Sequence, residues 1–104
     1  MGRTSDKRGE AAARIALPAD CRMACVPALR TTLTAALARP ASELDGAAVA
    51  RVDTAALQLL AAFVRAAAER RHPVRWLGAS AVLGESAGLL GLAQVLDLPA
   101  SSPA

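Results

Sequence analysis

Asp53 and the stretch that follows it constrain this chain more than any other part of its sequence. Asp53 stands just before a run with helical spacing. An aspartate there accepts the unpaired amide hydrogens of a first turn, and its charge complements the helix dipole. Val52 before it and Leu57 after it hold the positions at which two apolar side chains staple the chain's entry into a helix. The helix start is thus specified twice. Leu57, Leu60, Val64 and Ala67 then line one stripe, and Leu59, Phe63 and Ala66 an adjoining one. A face that wide must be buried against a sheet. Arg70, Arg71 and His72 set cations at the end of the run, where the dipole favours them, and Pro73 stops it.

The flanking segments supply the sheet. Residues 14–17 form a short strand candidate, 18–20 a turn, and 21–24 a second strand that pairs with the first as a hairpin. From Val26 the period changes. Val26, Leu29, Leu33, Ala36 and Leu37 recur at helical spacing, Pro27 suits a first turn, and Pro40 closes the segment. Residues 43–48 read as a short strand with a turn at Asp45-Gly46, and 49–52 lead into the long helix. After it, 74–78 form a strand with Val74 and Trp76 on one face and Arg75 and Leu77 on the other. Ser80 caps a helix that runs to about Leu90, Gly91 ends it, and 94–98 form a last short helix or strand. Such alternation predicts an α/β fold: a mixed sheet of about four to five strands with three to four helices packed on it. The folded domain is expected at 12–99, with disordered tails at 1–11 and 100–104.

A chain of 104 residues holds one modest core and no cleft between domains. With one Phe, one Trp and no Tyr, leucine and valine must fill that core. A net charge of +3 is spread along the chain among nine carboxylates. It lacks the basic clusters and stacking aromatics of a nucleic-acid surface, so no nucleic-acid partner is expected. Cys21 and Cys25 have no further cysteine, and only one distant histidine, to complete a metal site. They read as two small part-buried thiols of a reducing compartment. Residues 1–17 do not resemble a signal peptide and no uncharged apolar run reaches about 20 residues, so neither a leader nor a spanning helix is expected. A cytoplasmic protein without direct membrane insertion, metal or cofactor is expected.

The side of the long helix away from its apolar stripes carries Thr54, Gln58, Ala61, Ala62 and Arg65. These side chains are small or polar, so a partner helix can approach closely there. The string Val49-Ala50-Arg51-Val52-Asp53-Thr54-Ala55-Ala56-Leu57-Gln58-Leu59-Leu60 resembles the signature of STAS domains, and the order of elements from Arg14 to Pro99 fits that family. The resemblance implies a non-enzymatic module that regulates a protein partner through the helix beginning at Thr54, using Asp53, Thr54, Ala55, Gln58, Ala61, Ala62 and Arg65. It is nearest to MlaB-like proteins, whose partner is the ATPase of a phospholipid-transport ABC system. The alternative it implies is an anti-sigma factor antagonist or chemotaxis-associated protein with a kinase-like partner.

Two departures bear on mechanism. Phosphorylation-switched antagonists carry their acceptor two residues after the aspartate, and Ala55 stands there without an oxygen to modify. Thr54 retains a hydroxyl that a kinase can modify; a phosphate there gains from the helix N-terminus and is opposed by Asp53. Finally, Gly84-Glu85-Ser86-Ala87-Gly88 matches the G-x-S-x-G nucleophile elbow of hydrolases. The elbow needs a strand before the serine and a histidine after it, whereas this run falls inside a helix and His72 precedes it. Gly84 and Gly88 are read instead as close-packing positions, and no catalytic residue is assigned.

Overall fold

The computed structural model describes residues 12–99; the tails expected at 1–11 and 100–104 lie outside the described residues. Five strands and four α-helices follow one another: β1 Ala13–Ala16, β2 Asp20–Cys21, a 3-10 turn Met23–Cys25, α1 Val26–Ala36, β3 Ser42–Gly46, β4 Arg51–Val52, α2 Thr54–Glu69, β5 Val74–Ala79, α3 Ala81–Leu89 and α4 Ala93–Leu96. Their boundaries have local chemical causes. Pro27 lies in the first turn of α1, where its missing N–H removes no helical bond. Asp53 Oδ1 accepts the Ala56 amide at 3.0 Å, and Ser80 Oγ accepts the Leu83 amide at 3.1 Å, so both anticipated caps form. Asp45 Oδ1 accepts the Ala47 amide at 3.0 Å, which turns the chain at the end of β3. Gly91 takes φ +71° beyond α3, a conformation that glycine adopts without penalty.

The α/β class read from the sequence is the one the chain adopts. Its strands divide into a three-stranded sheet ordered β1-β3-β5 and a two-stranded ladder β2-β4, and every pairing is parallel. The hairpin expected between 14–17 and 21–24 does not form. The Leu17 amide instead continues onto Asp45 O, and the Ala50 and Arg51 amides both reach Ala19 O. Parallel register sets buried Ile15 opposite buried Leu44, and buried Cys21 opposite half-buried Val52, which packs against the core. Residues 23–25 form the 3-10 turn in place of the rest of the second strand.

Along β3, Ser42, Leu44 and Gly46 are buried and alternate with half-buried Glu43 and Asp45. The outward side carries the Arg14–Glu43 pair at 3.2 Å. With Arg14 largely exposed, that pair contributes little to stability. On the inward side, Leu33, Leu44, Leu57, Leu60, Leu83 and Leu96 are fully buried, so leucine carries the core as composition required. Trp76 Nε1–H donates to Leu96 O at 2.8 Å and ties α4 to β5.

Two sequence expectations are corrected here. His72, grouped by sequence with Arg70 and Arg71 at the end of α2, turns inward. The chain turns through Arg71 at φ 55°, the His72 amide bonds back to Ala67 O, and the ring is buried. Its Nε2 shares a 2.7 Å hydrogen bond with buried Ser42 Oγ, and its ring meets Phe63 edge-on at 6.5 Å. Gly84 and Gly88 are not close-packing positions, because a methyl group at either would meet nothing within 4 Å. The close approach is at Gly46, where a Cβ would come within 2.6 Å of Leu83 Cδ2.

Candidate functional site

The site is built on the start of α2, and Asp53 fixes it. One carboxylate oxygen caps α2 through Ala56, while the other accepts the Met23 amide at 2.7 Å. A single side chain therefore begins α2 and also pins the 3-10 turn. With both oxygens engaged by the chain's own backbone and the residue half-buried, Asp53 acts as the anchor of the surface.

Around that anchor the sequence-nominated residues separate. Thr54, Gln58, Ala62 and Arg65 are exposed and Ala55 is half-buried. Ala61 is 2% exposed and is not part of the free face. Ala61 belongs to the buried core cluster, and Leu90 and Leu92 from the end of α3 and the turn after it share the hollow at its edge. Two shallow hollows flank the helix. One, of about 260 Å³, is lined by Val52, Thr54, Leu57, Ser86, Leu89 and Leu90. The other, of about 380 Å³, has Ala61 in its wall with Gln58, Arg65, Leu90 and Leu92. Leu90 borders both, so they form one strip along α2; Ala62 lines neither.

Leu89 and Leu90 were missed by sequence reasoning. Leu89 is 88% exposed and Leu90 44% exposed, beside Thr54. Apolar residues run all around α3, so spacing did not show which of them would stay outside. The Leu89-Leu90-Gly91-Leu92 string, richer in leucine than a helix end requires, was the available signal.

On the other side of Asp53 lies a third hollow of about 470 Å³, lined by Asp20, Arg22, Met23, Ala24, Cys25 and Asp53. Arg22 forks onto Asp20 at 2.6 and 2.8 Å. That hydrogen bonding holds the Asp20 carboxyl below its ordinary range and raises Arg22. Beneath the hollow Cys21 is fully buried, its sulfur 3.8 Å from that of half-buried Cys25, and both are free. Burial first, then the charge and hydrogen bond of Cys25, then Asp53 and Asp20, push the Cys21 thiol up to about 12. Among the described residues no three histidine, cysteine or acidic side chains gather to hold a metal ion. Ser86 of the G-x-S-x-G run lies within α3, away from any strand-to-helix elbow.

No curated protein and no solved structure matches this chain. A family model described as "Mlab, STAS domain" matches residues 5–98, a span that includes every strand and helix above. The capped start of α2, the parallel sheet beneath it and this match agree, and the chain belongs to the Mlab, STAS-domain family.

Proposed function

We propose that this chain is a non-enzymatic binding module that regulates a protein partner by docking it on the strip along α2 that begins at Thr54. The observation that carries the reading is the juxtaposition of exposed Thr54 with Leu89 and Leu90 at the rim of one hollow. Bulky apolar side chains left in water beside polar ones mark interaction surfaces. In this reading Leu89 and Leu90 supply apolar contact, Thr54 and Gln58 supply hydrogen bonds, and Arg65 meets a carboxylate. Ala62 leaves room for a close approach, and Asp53 with Ala55 holds the helix start in place.

The partner we propose is the ATPase of a phospholipid-transport ABC system. The family description supports it, as does the nearness of the Arg51-Val52-Asp53-Thr54 string to MlaB-like proteins. A bilayer is then reached through that partner; no helix among the described residues is long and apolar enough to cross a membrane. Ala55 offers no oxygen to phosphorylate, which weighs against an antagonist of the phosphorylation-switched kind.

Affinity capture from the native cell with wild-type protein beside Thr54→Glu tests the reading. An ABC-transporter ATPase should be retained by the wild type and lost by about tenfold or more in the variant, with the unfolding midpoint unchanged. Recovery of a kinase-like anti-sigma factor or chemotaxis component would replace the transport reading by the signalling one. Equal loss of folding and binding would remove Thr54 from the surface.

A further inference from the structure

We infer that Cys21 and Cys25 form a reversible intramolecular disulfide when the protein meets hydrogen peroxide, making the β2 end of the domain an oxidative modification site. Their sulfurs are already 3.8 Å apart, with the Cys25 thiol donating toward Cys21. The two thiols are unequal in access. Cys25 lines the open hollow with Met23 and Asp53, whereas Cys21 is fully buried and lines no part of it. An oxidant therefore reaches Cys25 first, and the nearest thiol to the oxidised sulfur is Cys21.

The chemistry closes without another reactant. The Cys25 thiolate attacks one peroxide oxygen, the O–O bond breaks, and the departing hydroxide takes up the thiol's proton as water, leaving a sulfenic acid. The Cys21 sulfur then attacks the Cys25 sulfur. The S–O bond breaks, the Cys21 proton leaves with that hydroxyl as a second water, and an S–S bond of about 2.05 Å remains. Each sulfur gives up one electron and the two peroxide oxygens gain them. Burial, then Cys25 and the nearby carboxylates, keep Cys21 a thiol at neutral pH, so it does not react first; its place 3.8 Å from the Cys25 sulfur makes it the resolving partner, its proton passing to the departing hydroxyl as the S–S bond forms.

The position gives the bond a structural consequence. Cys25 ends the 3-10 turn whose first amide, at Met23, is held by Asp53, and the same carboxylate caps α2. Drawing Cys25 toward Cys21 shifts that turn against β2 and loads the Met23 bond at the edge of the Thr54 surface.

The test treats the reduced full chain with hydrogen peroxide, beside Cys25→Ser and Cys21→Ala, and reads intact mass with thiol alkylation. The expected result is a mass lower by about 2 Da, with both thiols closed to alkylation and both restored by dithiothreitol. It should be absent from each variant. Amide exchange at Met23 should rise at least several-fold on oxidation. A gain of about 32 Da on Cys25 with Cys21 still free overturns the inference, as does a disulfide between two chains or two thiols that stay reduced. Cys25→Ser replaces a half-buried side chain, so the comparison survives if Cys21→Ala fails to fold.

Discussion

Helices α2 and α3 begin alike and end differently. Each opens on a side chain that accepts its first-turn amide, Asp53 in one and Ser80 in the other. Beyond the cap, α2 sends Leu57, Leu60 and Phe63 into the core and leaves Thr54, Gln58, Ala62 and Arg65 outside. Helix α3 buries only Leu83 and Ala87, while Val82 and Leu89, with Leu90 just past its end, remain in water. One helix uses its apolar residues to fold the domain, and the other carries more than folding needs. Of that surplus, Leu89 and Leu90 lie beside the polar face of its neighbour, which is where a docking surface is proposed.

The comparison breaks most visibly at Leu60, which has no exposed surface. Leu60→Ala should lower unfolding free energy by about 2–5 kcal/mol in chemical denaturation; a loss under about 1 kcal/mol would deny α2 its role in the core. At the shared cap, Asp53→Ala removes the acceptor of two amides. A loss near the upper end of about 0.5–2 kcal/mol is expected, larger than for Ser80→Ala, whose hydroxyl accepts one. Equal losses would mean that the Met23 bond contributes nothing.

Alkaline titration sharpens the contrast on the side of the anchor that faces β2. Cys21 has its pKa raised in the fold from 9.0 to about 12, so on raising the pH the unfolded chain releases this proton first. The stabilisation is complete below about pH 9 and is lost toward pH 12, with a slope of order 1 kcal/mol per pH unit. Midpoints measured across that window should fall more steeply for wild type than for Cys21→Ala. Parallel curves would remove the effect.

Within α3, Gly84→Ala meets no obstruction and should stabilise by about 0.5–1 kcal/mol; a destabilisation would restore the close-packing role the structure denies it. Smallest of all, Leu89→Ser should change stability by no more than about 0.5 kcal/mol and still weaken partner capture. Matching losses in both would make Leu89 part of the core after all.

Much of this domain was legible because local chemistry wrote it. The Asp53 and Ser80 caps, Pro27 in a first turn, Gly91 beyond a helix end and the leucine spacing of α2 act over a few residues, and each reads directly from the string. The Thr54, Gln58 and Arg65 positions on the outer side of α2 follow from the same periodicity. Ala61 did not, since it is buried in a core cluster assembled from distant segments, with Leu90 and Leu92 brought beside it from some 30 residues further along the chain. The parallel pairing of β1 with β3, in place of a hairpin, was set by joining Ile15 to Leu44. The inward turn of His72 was set by Ser42, and the 3.8 Å approach of two thiols by the turn that Asp53 pins. The sequence by itself determined where elements start and stop and which residues are apolar, because caps, turns and periodicity are short-range. Only the tertiary structure decided which apolar residues are left over, because burial is a property of neighbours brought from elsewhere in the chain.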